Sequence, residues 1–238
     1  MRSLLALVAT LLATMALAQV PEACFALSEH ITFKFPLLMT GHAIDEERPL
    51  KIAAIGSSST FGTGASSSER SYPARLLLAL DGLDIPIKVF NRGHGGEEEG
   101  DELERFQHDV IDLHPALVIW QVGTNAVMRD HNIDEVMREI REGVMRLKHS
   151  GADVILIDPQ YAPRYNEKRS AKEMVKRIEV LADELKVNLF RRYALMEYWS
   201  RDTPTEGMIS PDGLHMNDWS YDCMAKVLAH TIVSTATR

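Results

Sequence analysis

The amino-acid sequence predicts an α/β fold, a three-layer α/β/α sandwich around a five-stranded parallel sheet. Three observations lead there. Five short apolar runs rich in β-branched residues alternate with stretches whose apolar residues recur at helical spacing. Strands separated by helices of that length require right-handed crossovers and a parallel sheet covered on both faces. The run Leu117-Val118-Ile119-Trp120 is continuously apolar, as a strand buried on both sides should be. Finally, the first three strands each lead into a polar or glycine-bearing turn, which sets these turns at one carboxyl edge, where open α/β folds place their sites.

The elements read in order along the chain. Residues 51–56 are a buried strand, and residues 72–80 carry the apolar spacing of a helix. Residues 87–91 are the second strand; residues 101–113 are helical, with Leu103, Phe106, Val110 and Leu113 on one face. Residues 116–122 are the most hydrophobic strand, and residues 133–149 a helix closed by Gly151. A strand at 154–158, a helix at 171–185, a short fifth strand at 187–190 and a closing helix at 220–233 complete the pattern. The Ser/Gly-rich stretch 57–68 is a loop by composition. Residues 201–218, with Pro204 and Pro211, form a long irregular connection of the kind that is usually functional or disordered in a compact domain.

A length of 238 residues at 45% hydrophobic and 25% charged composition suffices to bury one full core, assigned to residues 50–238. Residues 19–49 read as an N-terminal extension and residues 1–18 as a secretory signal peptide: Met1-Arg2 carries positive charge, residues 4–17 are apolar, and Ala16-Leu17-Ala18 matches a small-residue cleavage signal. That apolar run falls short of the about 20 residues a membrane span needs, so an exported, periplasmic or secreted product without stable membrane insertion is expected. Acidic residues outnumber Lys and Arg by 34 to 26, giving a net charge of −8 without a basic patch, which argues against a nucleic-acid partner. Export would put Cys24 and Cys223, the only two cysteines, in an oxidising space, where they are expected to pair and tie the extension to the last helix.

Four short segments carry the chemistry: Gly56-Ser57-Ser58-Ser59-Thr60, Asn91-Arg92-Gly93-His94-Gly95-Gly96, Gly123-Thr124-Asn125 and Asp212-Gly213-Leu214-His215. A serine hydroxyl needs a base to take its proton and an exposed strand-to-helix turn to reach substrate, and Ser57, Ser58 and Ser59 are all candidates on composition. Asp212 and His215 stand three apart, so the carboxylate can hold one imidazole nitrogen while the other faces the serine. Gly96 and Asn125 are placed to offer a backbone N–H and a side-chain amide to a developing oxyanion. The run Glu97-Glu98-Glu99 reads as a solvated, dipole-compensating helix start. A phosphate loop is excluded because no Gly-Lys-Ser/Thr ending follows the Gly/Ser stretch. None of the 9 histidines has zinc-ligand spacing, so no metal is expected. The G-x-S-x-G elbow of α/β-hydrolases is missing.

In order and context the four segments resemble the blocks of the SGNH or GDSL hydrolases, named for Ser, Gly, Asn and His in four separate blocks, over nearly the whole chain after the leader. Ile55-Gly56-Ser57-Ser58-Ser59-Thr60 resembles the first block, Gly-Asp-Ser-x-Thr, and singles out Ser58 as nucleophile. The second and third blocks imply Gly96 and Asn125, with Ser58 N–H, as the oxyanion hole, and the last implies Asp212 and His215 as orienter and base. Two departures stand out: Ser57 replaces the Asp before the nucleophile, and Ala126 the usual Asp after Asn125. The resemblance implies a flavodoxin-like sheet, no cofactor, and carboxylic ester hydrolysis through an acyl enzyme, on short acyl esters, O-acetylated carbohydrate, lipids or thioesters. Polar loops rich in Gly, Asn and Gln favour a small acyl group on carbohydrate, with His94, Ala126, Val127, Gln160, Tyr161 and Met208 as substrate-side candidates. Alternatives are an acyltransferase using the same site, a lysophospholipase or thioesterase, and a non-catalytic carbohydrate-binding module.

Overall fold

The computed structural model describes Cys24 and residues 32–237; the leader read over residues 1–18, and the extension up to residue 31 apart from Cys24, lie outside the described residues. Five parallel strands, β1 (Leu50–Gly56), β2 (Ile87–Gly93), β3 (Leu117–Gln121), β4 (Asp153–Ile157) and β5 (Asn188–Phe190), form one sheet in the order β2-β1-β3-β4-β5. All neighbouring pairs are parallel, so helical crossovers must cover both faces. From β1 the chain first steps outward to β2, then returns to the other side of β1 as β3. The connections therefore diverge at the carboxyl ends of β1 and β3 and open a crevice there, the position at which such sheets bind ligands.

Helices α1 (Leu38–Asp45), α3 (Tyr72–Ala79), α4 (Glu99–Asp109), α6 (Ile133–His149), α8 (Ala171–Leu185), α9 (Arg192–Trp199) and α11 (Asp218–Ala236) surround the sheet, with one-turn helices α2 (Ser58–Phe61), α5 (Thr124–Met128), α7 (Pro163–Asn166) and α10 (Thr205–Met208) at its carboxyl edge. The stops and starts follow local chemistry. Asn132 accepts from Asp134 N at 2.8 Å to cap α6, whose buried stripe runs Val136, Ile140, Val144, Leu147. Asn217 caps α11 through Ser220 N at 3.1 Å. Glu98 and Asp101 form a reciprocal capping box that starts α4 two residues before the expected position. The helix expected over 101–113 divides, because after Val110 the chain tightens into a 3₁₀ turn at Ile111–Leu113.

The core is built on the strands and the inner helix faces. Trp120, fully buried, packs edge-on against Phe106 with centroids 4.9 Å apart, and its indole N–H donates to the buried Glu102 carboxyl. The segment before β1 belongs to the same core. Phe33, Leu37, Ala43 and Ile44 are buried within it, and Asp153 at the start of β4 accepts from both the N–H and hydroxyl of Thr40 at 2.8 Å. Residue 50 therefore marks the first strand without dividing the packing. Cys24 is disulfide-bonded to Cys223 on α11, with Cα atoms 5.0 Å apart. Among the described residues no helix is long and apolar enough to cross a membrane.

Candidate active site

The first segment turns sharply from β1 into α2. Ser57 and Ser59 are buried, at 3% and 1% exposure, whereas Ser58 at the first position of α2 remains accessible. Ser57, standing where the resembled block has Asp, keeps the turn closed: its N–H and hydroxyl both donate to Gln121 Oε1 at 3.2 Å. The turn is also wedged against the end of β2. A Cβ at Gly93 would lie 2.1 Å from Phe61 N and 2.5 Å from the Thr60 carbonyl carbon, so only glycine permits this approach.

The last segment supplies the partners of Ser58. His215 Nε2 lies 2.8 Å from Ser58 Oγ, and His215 Nδ1 lies 2.5 Å from Asp212 Oδ2. The other carboxylate oxygen, Oδ1, accepts from Ser210 Oγ at 2.8 Å, Leu214 N at 2.8 Å and His215 N at 2.9 Å. Partial burial works to raise the Asp212 pKa, but the bonds from the His215 ring and from these donors prevail and hold the carboxyl well below its ordinary range. Two contacts fasten the loop to the scaffold: Arg164 N donates to Gly213 O at 3.1 Å, and Gln160 Nε2 donates to Leu214 O at 3.2 Å. A hydroxyl, an imidazole and a carboxylate in this sequence can pass the hydroxyl proton to the ring.

The second and third segments are joined by side-chain bonds to the chain at Gly96 and Glu97. Gly96 and Ser58 have backbone N–H groups with no acceptor among the described residues. Asn125, in the first turn of α5, donates one amide hydrogen to Glu97 O at 2.7 Å, which leaves the second free. Arg129 completes the frame, with Nη2 donating to Gly96 O at 2.7 Å and Nη1 paired with Glu98. The expected solvated run Glu97-Glu98-Glu99 starts the helix but is not solvated as a whole. Glu97 Oε2 accepts from both Nε and Nη2 of Arg105, at 2.8 and 2.5 Å, and Glu99 is buried at 3% exposure with Oε1 accepting from Gly123 N at 2.6 Å. Burial raises the Glu99 carboxyl to about 7.

The substrate-side candidates separate clearly. His94 is exposed on the second segment, its Nδ1 3.1 Å from Glu97 Oε1. Tyr161 is partly exposed and packs edge-on against Tyr193 at 5.3 Å. Ala126, Val127, Gln160 and Met208 are each no more than 1% exposed and present no surface to a ligand. The first two face the core because α5 turns inward directly after Asn125. Gln160 is consumed by structure, accepting from Thr124 Oγ1 at 3.1 Å and donating to the base loop. Gln121, Glu99 and Arg129 escaped the sequence reading. The one available signal was a polar residue, Gln121, closing the most apolar strand. Among the described residues no three His, Cys, Asp or Glu side chains gather closely enough to hold a metal ion.

A comparison with curated proteins finds no match. Among solved structures the chain is similar to Axe2, an acetylxylan esterase from Geobacillus stearothermophilus, at 21% identity and a TM-score of 0.67, over 79% of this chain and 96% of that one. It is similar to a two-domain esterase active on acetylated mannans and co-crystallised with mannopentaose, at 19% identity and a TM-score of 0.72, over 90% of this chain and 58% of that one. It also resembles TesA at 19% identity and a TM-score of 0.67, over 78% of this chain and 99% of that one. At these identities the likeness establishes the fold alone. The profile of the non-GDSL lipase-like family matches residues 23–238. With that match spanning the whole fold, and with Ser57 in place of the first block's Asp, the chain belongs to the non-GDSL lipase-like family.

Proposed function

We propose that the protein is an exported serine hydrolase that removes short acyl groups, acetyl above all, from carbohydrate esters. The observation that carries the reading is the continuous hydrogen-bonded chain Ser58 Oγ, His215, Asp212, and the N–H groups of Ser58 and Gly96 and the second Asn125 amide hydrogen, which have no acceptor among the described residues, support it. His215 Nε2 takes the hydroxyl proton as Ser58 Oγ attacks the ester carbonyl. The three donors hold the oxyanion, and the imidazolium returns its proton to the departing alcohol oxygen. Water then repeats the path and frees the acid and Ser58. Asp212 holds Nδ1 protonated and stabilises the imidazolium without itself taking the proton.

Two of the similar structures are an acetylxylan esterase and an esterase active on acetylated mannans, which favours acetylated carbohydrate. His94, exposed and oriented by Glu97, and the Tyr161 ring are the side chains best placed to meet the sugar. The disulfide between Cys24 and Cys223 favours export to an oxidising space. The test is a panel of p-nitrophenyl esters from acetate to palmitate beside acetylated xylan and mannan, with fluorophosphonate labelling of the purified protein. Acetate turnover and labelling that Ser58→Ala abolishes are expected, the variant losing at least about 10⁴-fold in kcat. Labelling that persists in Ser58→Ala would remove the nucleophile, and a preference for palmitate would remove the short-acyl assignment.

A further inference from the structure

The donors Gly96 and Asn125 arrive on different crossovers, after β2 and β3, so no backbone continuity sets their separation. A site of this kind works only when its groups hold their positions to within about 0.5 Å. Two visible bonds join the segments above the sheet: Asn125 Nδ2 to Glu97 O and Arg129 Nη2 to Gly96 O, both 2.7 Å. The third lies beneath them. Gly123 precedes α5 at φ +86, and a Cβ there would meet Ile178 at 2.8 Å and Met174 at 3.0 Å. Gln121, Val122, Gly123 and Thr124 are all buried, so the Gly123 N–H has no access to water and takes the Glu99 carboxyl as acceptor.

Glu99 is an expensive way to satisfy one N–H group. Its second oxygen, Oε2, is buried without a partner. The neighbouring carboxylates Glu98 and Glu139 oppose its ionisation further, after burial itself, which has the largest effect. Glu102, one turn along α4, is also buried and spends its bond on Trp120. A charged residue so placed is not there for packing energy. Its one bond to another residue is to the turn that carries Asn125.

We propose that Glu99 is a positioning residue of the oxyanion site: by accepting the Gly123 N–H from below, it fixes the turn from which Asn125 presents its amide to the reacting carbonyl. The inference rests on the ester-hydrolase reading and adds to it a residue that touches neither substrate nor nucleophile. Glu99 acts through Asn125, so its removal must matter only while Asn125 is present.

The test is a double-mutant cycle on the full chain with p-nitrophenyl acetate. Glu99→Ala is expected to lower kcat by about 10- to 100-fold with KM within about threefold, because a misplaced oxyanion donor is felt in the transition state and not in substrate binding. In the Asn125→Ala background the same substitution should change kcat by less than about threefold. Glu99→Gln, which keeps a carbonyl oxygen for Gly123, should hold kcat within about threefold of the parent, while Glu99→Asp, one methylene short of the N–H, should fall toward the alanine variant. Equal losses in the two backgrounds overturn the proposal. Should Glu99→Ala fail to fold, the order of the Gln and Asp variants decides, and Asp above Gln overturns it. Absence of both turnover and fluorophosphonate labelling in the parent protein would instead overturn the hydrolase reading on which the proposal stands.

Discussion

The loop that carries Asp212 and His215 and the floor of the turn that carries Asn125 each hold a carboxyl, and the two are treated in opposite ways. Asp212 is partly exposed and collects four donors, two of them backbone N–H groups, which hold its carboxyl low. Glu99 is buried and collects only one donor from another residue, and burial raises it to about 7. What decides is the count of donors against the depth of burial. The base loop also closes on itself within a few residues, Ser210 N donating to His215 O at 2.8 Å and Gly213 N to Ser210 O at 3.0 Å. The floor under Asn125 exists only where two distant segments meet. Local geometry thus serves the Asp212 carboxylate, and long-range geometry serves the groups proposed as oxyanion donors.

The largest effect expected from breaking this contrast is at Asp212. Asp212→Asn should lower kcat by about 10⁴-fold, since the amide favours the wrong imidazole tautomer, while Leu214 N and His215 N keep the loop in shape. A loss under about tenfold would mean that the loop positions His215 without its carboxylate. Asn125→Ala should cost about 100- to 1,000-fold in kcat, roughly 3–4 kcal/mol, with little change in KM. A lowered thermal midpoint with near-normal kcat would reduce Asn125 to a packing role. The smallest effect is on stability. The Glu99 carboxyl rises from an ordinary value of 4.5 to about 7 on folding, so between those values the folded chain binds more protons than the unfolded one. Stability therefore falls as pH rises through that window. Asp158, buried and raised to about 7, contributes in the same direction despite Arg192 beside it. Glu99→Gln should recover about 2 kcal/mol of that loss, seen as a shallower fall in thermal midpoint between about pH 5 and about pH 7. Parallel curves for the parent and the variant would show that Glu99 stays ionised throughout.

What the sequence made legible follows the same division. Each strand is a local apolar run, and the four chemical segments follow their strands or, for Asp212 and His215, stand within one turn of each other, so their placement could be read without knowing what lies opposite. Gln121 and Glu99 could not. A glutamate in Glu97-Glu98-Glu99 looks like any helix start, and its burial depends on α4 packing against β3, through Phe106 and Glu102 on Trp120, and bringing it to Gly123. Ala126 and Val127 follow a strand end, the place where substrate-side residues are expected, yet α5 rotates both into the core. In α9 the buried residues Arg192, Leu195, Met196 and Trp199 do recur at helical spacing, but the stripe is only two turns long and is headed by a charged residue, which reads as surface until its burial is seen. Helix α1 carries Thr40 and Gly41 and no side-chain cap, which is poor helix chemistry rescued by packing.

The pairing of Cys24 with Cys223 has a consequence for a cut chain. The bridge spans 199 positions and encloses all five strands, so it forms a covalent ring around the sheet. A protease that severs any single exposed loop between those residues, the 201–218 connection included, opens the ring without releasing a fragment. The two pieces migrate as one species until a reductant is added.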